Sequence, residues 1–438
     1  MFLHVGIDDT DSPRGMCTTY VGAVAIERAQ KLGAELVDYP RLIRLNPCWP
    51  EKTRGNCAVA FLLKLGEDLL DKIKKAILKT VEELAEEDEK TNPGVVFYPK
   101  RKIPPELSDF ALRVVRDIVT IDEARELARL ICAEIYEFRK GKGIIGALAA
   151  IGHPLDRDFT FEYIAYRIPQ NYGKPRKVDP ESVREMNEKT FPLTFDNIDP
   201  WTGEIKITPH TPCPILYGIR GESPEILEKA AEIVKVGEPI ERTIIYKTNQ
   251  ATDEHLIPAK IKEIKPLRSY SVRGFVSSKP RVIPGGHVIF TINDDTGKIH
   301  CAAYEPTRKF REIVLQLMPG DEIVVHGSVK EKPGIPLTLN LEKIEVLKLA
   351  EKIIKVNPTC PICGRRTKSM GRSKGYECEK CKYKFPPEAV EYQKKPRIIL
   401  PGKFEVPPRA RRHLSKPLVR EFRSKIGELT LLKCEDEK

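Results

Sequence analysis

The chain opens on an apolar run, FLHVGID, that ends abruptly at Asp8, Asp9 and Asp11. Apolar residues without polar alternation predict a strand covered on both faces. TYVGAVAIERAQKLG then places its apolar residues at helical spacing and stops at Gly33. RLIRLN and CAVAFLLKL read as a strand pair around the loop PCWPEKTRGN. Three helical stretches follow: EDLLDKIKKAILKTVEELAEE, PPELSDFALRVVRDI and IDEARELARLICAEIYEFRKG. This first unit, α/β in character, is expected to span residues 1–157.

Beyond it the pattern changes. TFEYIAYRI, CPILYGIRG and ERTIIYKTN are strand-like, and DPESVREMNEKT and SPEILEKAAEIVK are helices with proline in the first turn. Strands interleaved with two helices predict a ferredoxin-like sandwich over 158–250. Residues 251–352 carry short strands, AKIKEI, SYSVRGFVSS, GGHVIFTIND, KIHCAAY, DEIVVHGSVK and LTLNLEKIEVLKL, with one helical insert at PTRKFREIVLQL. About five strands with such an insert match an OB barrel, a frequent platform for single-stranded nucleic acid. Phe275, Phe290 and Tyr304 are its aromatic candidates for base stacking, although strand aromatics commonly fill the core. A compact segment at 353–393 and a Pro- and Arg-rich basic tail at 394–438 complete a multidomain α+β protein.

Charge changes the picture at the C-terminal end. Residues 355–427 hold 20 Lys and Arg against 6 Asp and Glu, whereas the whole chain of 438 residues is +11, so the rest is close to neutral. Clustered cations at one end suit phosphate neutralisation, although a solvated tail has the same composition. No apolar run reaches the roughly 18 residues of a membrane span, and the N-terminus has no signal-peptide layout. The expectation is a cytoplasmic protein with no membrane contact and no obligate protein partner.

The 11 cysteines include two tight pairs, Cys360 with Cys363 and Cys378 with Cys381. Two CxxC knuckles at this separation predict a closed tetrahedral Zn²⁺ site, structural rather than catalytic. Asp8, Asp9 and Asp11 at a strand end repel one another unless a cation sits between them, and Mg²⁺ held by Asp8 and Asp9 together with phosphates is the usual solution. Thr18 and Thr19 open the next helix, whose N-terminus attracts phosphate; Thr18 also suits a helix cap. Gly141, Gly143 and Gly146 fit GxGxxG but follow a predicted helix, which removes the dinucleotide reading and leaves a phosphate nest or a turn. No Walker sequence occurs. Arg41, Arg44, Lys52 and Arg54 add anion-binding capacity. A non-catalytic single-strand binder accounts for the barrel and ribbon but leaves the acidic cluster and the threonines without a role.

VGIDDTDSPRGMCTTY, RLIRLNPCWPEKTRGN, GIIGALAAIG and TPCPILYGIRG together resemble the archaeal family that makes 2-agmatinylcytidine in isoleucine tRNA, over roughly residues 1–395. The resemblance implies a kinase-like N-terminal domain followed by ferredoxin-like, OB and zinc-ribbon units. It implies an ATP-dependent ligase that joins agmatine to carbon 2 of the wobble cytidine of the CAU-anticodon tRNA, cleaving ATP to AMP. Thr18 is then the phosphoryl acceptor, and Asp8, Asp9 and Asp11 surround the metal; Thr19, Arg54, Gly141, Gly143 and Gly146 are, from the residues themselves, the candidates for contacting ATP. Agmatine's guanidinium calls for a carboxylate, and Asp196 and Asp199 are the candidates, in a turn whose composition explains them equally well.

Overall fold

The computed structural model describes residues 1–53, 55–332 and 334–421. In the first unit β1 (Phe2–Asp8) is central: it pairs antiparallel with β4 (Cys57–Lys64) on one side and β5 (Gly94–Tyr98) on the other. β2 (Glu35–Leu36) and β3 (Arg41–Arg44) extend the β4 side, and β6 (Glu134–Glu137) the β5 side. Helices α1 (Thr18–Lys31) and α2 (Leu70–Leu84) cover one face, and their apolar stripes meet Leu3, Val5 and Ile7. On the opposite face lie α3 (Pro105–Arg116), α4 (Ile121–Ile131) and α5 (Gly143–Gly152). An antiparallel sheet buried on both faces is the reason β1 and β5 lack alternation.

Two elements differ from the expectation. The helix read over 121–141 ends at Ile131, because Cys132 takes the left-handed conformation at φ 59° and the chain returns as β6. The strand β5 is a second difference: its five-residue apolar run GVVFY is too short for the pattern to separate strand from helix.

The second unit runs β7 (Thr160–Arg167), α6 (Pro180–Thr190), β8 (Thr194–Phe195), β9 (Ile215–Gly221), α7 (Pro224–Ile233) and β10 (Ile240–Thr248). Its strands lie in the order fourth, first, third, second, the ferredoxin-like arrangement. β10 also pairs in parallel with β3, so both units share one ten-stranded sheet. Asn249 extends that seam: its side chain accepts from Arg44 N at 2.8 Å and donates to Arg44 O at 3.1 Å.

In the third unit β11 (Leu256–Pro258) precedes a closed barrel of β12 (Arg268–Val276), β14 (His287–Asn293), β15 (Lys298–Ala303), β16 (Glu322–Lys332) and β17 (Ile335–Lys348), with β13 (Arg281–Ile283) added to β14. β12 pairs with both β14 and β16, and β15 runs parallel to β17, which gives the OB topology. α8 (Lys309–Val314) plugs one end with Phe310 and Val314. AKIKEI is not a strand: Ile261 and Ile264 both enter the core, a spacing of three that a 3₁₀ turn satisfies and a strand does not. Phe290 is core, whereas Phe275 is 48% exposed and Tyr304 packs edge-on against His287.

Strands β18 (Lys352–Val356) and β22 (Glu391–Lys395) form a stalk that carries the small sheet β19 (Lys368–Ser369), β20 (Tyr376–Glu377) and β21 (Lys384–Phe385). The stretch from 394, read as a basic tail, is folded over its described residues, 394–421. β23 (Gly402–Glu405) pairs with β17, and the following segment inserts among the other units. Arg411 pairs with Asp196 and Glu405, and Arg420 with Asp158 and Glu222. These cations neutralise carboxylates of the body rather than standing in solvent.

Candidate active site and zinc centre

β1 delivers its carboxylates to one place. Asp9 adopts φ 58°, which turns the chain sharply after Asp8, and its N–H donates back to Asp8 Oδ1 at 2.7 Å. Asn92 N donates to Asp9 Oδ2 at 2.9 Å, and the Thr53 hydroxyl donates to Asp11 Oδ1 at 2.9 Å. All three carboxylates line a cavity of about 340 Å³. Burial, then the charge of Asp9, holds the Asp8 pKa well above the carboxylate range. Burial pushes Asp9 up to about 6, against the opposing pull of Asn92 N–H, Lys142 and Arg139. Carboxylates so crowded and desolvated favour a cation among them.

The glycine run has a packing role. A β-carbon at Gly146 would overlap the Asp8 carboxylate, and one at Gly143 would lie 2.6 Å from Asp8 O. These residues let α5 descend onto the end of β1, and both line the cavity; Gly141, at φ 61°, makes the turn before them. The phosphate-nest reading loses its donors, because Gly143 N, Ile144 N and Ile145 N bond to Asn92 O, Gly141 O and Lys142 O. A strand, β6, precedes the run after all. It is an antiparallel edge strand, so no dinucleotide-binding unit results.

Thr18 begins α1, with Cys17 in the cap position. Its hydroxyl accepts from Thr10 at 3.1 Å, which places it directly behind the acidic turn, and it is 2% exposed. The structure therefore brings Thr18 to the carboxylate loop but not onto the cavity wall. Thr19 is also buried: its hydroxyl meets the Cys17 thiol at 3.0 Å and its carbonyl accepts from Tyr246 at 2.6 Å. Arg41 donates to Ile151 O and His153 O, and Arg44 faces Glu162 at 3.7 Å, so both are structural. Arg54 lies outside the described residues.

Lys90, Lys140 and Lys142 line the cavity alongside Lys52, and the sequence reading missed all three. Lys142 sits inside the glycine run, so its position was the available signal. Burial and the charges of Arg412 and Lys330 lower the Lys52 pKa to about 8. Leu45, Trp49, Val114, Val119 and Ile145 add apolar lining to the same cavity. Such a cavity accepts a ligand with both an apolar and an anionic part.

The structure does not bring Asp196 or Asp199 to this cavity. Asp196 is engaged by Arg411. Asp199 is fully buried and caps its own turn, Oδ1 accepting from Trp201 N at 3.0 Å and Thr202 N at 3.2 Å, while Oδ2 has no partner among the described residues. In the ribbon, the sulfurs of Cys360, Cys363, Cys378 and Cys381 all lie within 4.8 Å of one another. Four thiolates about 2.3 Å from a central ion have this spread, so the donor set and the geometry fit Zn²⁺.

An OB barrel and a four-cysteine zinc ribbon, joined to a carboxylate-and-lysine cavity, define a multidomain enzyme architecture built to work on nucleic acid. Family models match along its length: the TiaS TCKD domain over 4–73, the TiaS FLD domain over 141–255, an OB-fold nucleic acid binding domain over 270–347 and the TiaS C-terminal zinc ribbon over 357–399. The isoleucine-tRNA 2-agmatinylcytidine synthetase TiaS of Archaeoglobus fulgidus is 46% identical over 96% of this chain and 98% of its own. That of Pyrococcus horikoshii is 48% identical over 96% and 97%. A solved complex of TiaS with isoleucine tRNA and ATP superposes with a TM-score of 0.88 at 45% identity, covering 96% of this chain and 97% of that one. A complex of TiaS with isoleucine tRNA, AMPCPP and agmatine gives 0.85 at 43% identity, with the same coverage. The chain belongs to the archaeal TiaS family.

Proposed function

We propose that this chain uses ATP to attach agmatine to carbon 2 of the wobble cytidine of the CAU-anticodon isoleucine tRNA, with phosphoryl transfer at Asp8, Asp9 and Asp11. One observation carries the reading: a single cavity offers a counterpart to each part of ATP. We assign the adenine to the apolar lining at Trp49, Val114 and Val119, and the triphosphate to the lysines and carboxylates of the same cavity. The acidic side chains are hard oxygen donors, which suits Mg²⁺ shared with the phosphates. When bound, the ion offsets charge on the transferring group. The family complexes with tRNA, ATP or its analogue, and agmatine support the substrate set.

Activation is needed because oxide does not leave a pyrimidine carbonyl, whereas a phosphorylated oxygen departs as phosphate. The amine nitrogen then bonds to carbon 2, the carbon–oxygen bond breaks, and the amine loses its proton. Thr18 is assigned as a phosphoryl acceptor beside the acidic turn. Its burial requires the turn to open for that step. Of Asp196 and Asp199, only Asp199 keeps a buried oxygen without a partner among the described residues, and because it is fully buried its turn has to open before a guanidinium reaches it. We place the reaction in the cytoplasm, classify it as a ligation, and take AMP as the nucleotide product, so two phosphoanhydride bonds break: one phosphoryl group leaves from the cytidine as phosphate, and the other passes through Thr18 to water. The test is incorporation of labelled agmatine into the tRNA, with mass spectrometry of the nucleoside and of the nucleotide product. ATP consumption without a modified cytidine would overturn the proposal.

A further inference from the structure

The loop between β3 and β4, which walls the cavity with Trp49, Lys52 and Thr53, is held by a residue from the far end of the chain. Arg412 Nη1 donates to Pro47 O at 3.2 Å, and Nη2 donates to Ser328 Oγ on β16 at 2.7 Å. Its Nε lies 3.0 Å from Glu342 Oε1 on β17. Ser328 and Glu342 sit on neighbouring barrel strands and are buried. Lys52, from the loop itself, donates to the same Pro47 carbonyl. The adjoining residues also face the barrel: Asn46 Nδ2 donates to Leu267 O at 3.0 Å, and the Cys48 thiol lies 3.7 Å from Ser269 Oγ.

We infer that Arg412 is a positioning residue for ATP, fixing the cavity loop against the barrel without touching the nucleotide. A planar guanidinium can hold a carbonyl, a hydroxyl and a carboxylate at once, whereas an ammonium acts as a single point charge. The cavity wall thereby takes its position from the unit built to grip single-stranded nucleic acid. The inference rests on reading the cavity as the ATP site.

The experiment compares full-length wild-type enzyme with Arg412→Gln, Arg412→Lys and Ser328→Ala, measuring KM for ATP, kcat and tRNA affinity. Arg412→Gln is expected to raise KM for ATP about tenfold, with kcat changed by less than about threefold and tRNA affinity by less than about twofold. Arg412→Lys should recover part of the loss. Ser328→Ala should raise KM by about threefold and add nothing in the double variant, as expected of one shared contact. Arg412→Gln that melts earlier but keeps its KM overturns the inference, as does an equal loss of tRNA affinity. If Arg412→Gln does not fold, Ser328→Ala decides: a wild-type KM overturns the inference. Crosslinking of 8-azido-ATP to wild-type enzyme tests the cavity itself. Labelling away from residues 45–57 and 114–119 would remove the cavity reading, a result distinct from an unchanged KM.

Discussion

Gly146 faces Asp8 so closely that a β-carbon on the glycine would coincide with a carboxylate oxygen. The contact comes from a helix pressed onto a strand end, and the atoms in the way are the Asp8 carboxylate and Leu45 Cδ1, so the carboxylate has to move. Gly146→Ala is therefore expected to displace the Asp8 carboxylate and reduce agmatine incorporation by about a hundredfold, the scale of an ångström-sized misplacement at a reacting centre. tRNA affinity should be unchanged. Wild-type turnover in Gly146→Ala would show that Asp8 is not at the reacting centre.

Thr18 and the acidic turn are tested as a unit. Asp9→Asn keeps the side-chain shape and an oxygen for Asn92 N, yet removes the charge a cation needs. It should abolish turnover while tRNA still binds. Thr18→Ala should remove the phosphoryl acceptor, and Thr18→Ser, which keeps the hydroxyl, should retain part of the activity. Because Thr18 sits behind the turn rather than on the cavity wall, a structural outcome is also defined. Thr18→Ala with a wild-type rate would mean that its hydroxyl serves only Thr10.

The ribbon prediction concerns the metal. Cys378 is buried among the four sulfurs, and Cys378→Ser replaces a soft thiolate with a poor ligand. One Zn²⁺ per chain should fall to substoichiometric occupancy, and residues 358–386 should become protease-sensitive, with ATP binding unaffected. Metal analysis and limited digestion report the two effects separately. A native protein without zinc would refute the assignment.

What was legible in the sequence is what depends on near neighbours. The thiolates declare themselves because CxxC spacing is local, and Asp8 to Thr18 because ten residues carry both strand end and helix start. The barrel was readable from strands that alternate between core and surface, as β14 does. β5 was not, since its apolar run GVVFY is only five residues long, and so short a run does not separate strand from helix. Lys90, Lys140 and Lys142 reach the cavity from loops far from Asp8 in sequence. Arg411, Arg412 and Arg420 looked like a solvated tail, because their partners Asp196, Glu342 and Glu222 lie in other units. A charge run carries no record of the carboxylates it will meet.

That finding relocates the salt-sensitive part of tRNA binding. Arg397, Lys403, Arg411, Arg412, Lys416 and Arg420 of the C-terminal segment are paired internally, whereas Arg372, Lys374, Lys382 and Lys384 on the ribbon are exposed. Replacing those four with glutamine should weaken tRNA binding at low salt and reduce the slope of log K against log salt by up to about three. A binding titration at several salt concentrations measures it. An unchanged slope would place the phosphate contacts elsewhere on the molecule.

The last prediction concerns how the ribbon is anchored. Its stalk leaves the barrel after Ala350 and returns at Arg397, whose guanidinium holds both oxygens of Asp321 at 2.7 Å. Arg397 also donates to Ala350 O at 3.0 Å and Gln316 O at 2.8 Å, while Asp321 accepts from Met318 N and Ala350 N at 2.8 Å each. Asp321 is fully buried, so removing the arginine strands a charge inside the barrel. Arg397→Met is expected to destabilise the barrel by about 3 kcal/mol, the lower end for breaking a buried pair, since two backbone donors still face the carboxylate. Adding Asp321→Asn removes the stranded charge and keeps one acceptor, so the double variant should be more stable than Arg397→Met alone. Amide exchange on β16 and β17, read beside thermal unfolding, separates loss in the barrel from loosening of the stalk. Equal stability of the wild type and Arg397→Met would mean that this pair contributes register but no net energy.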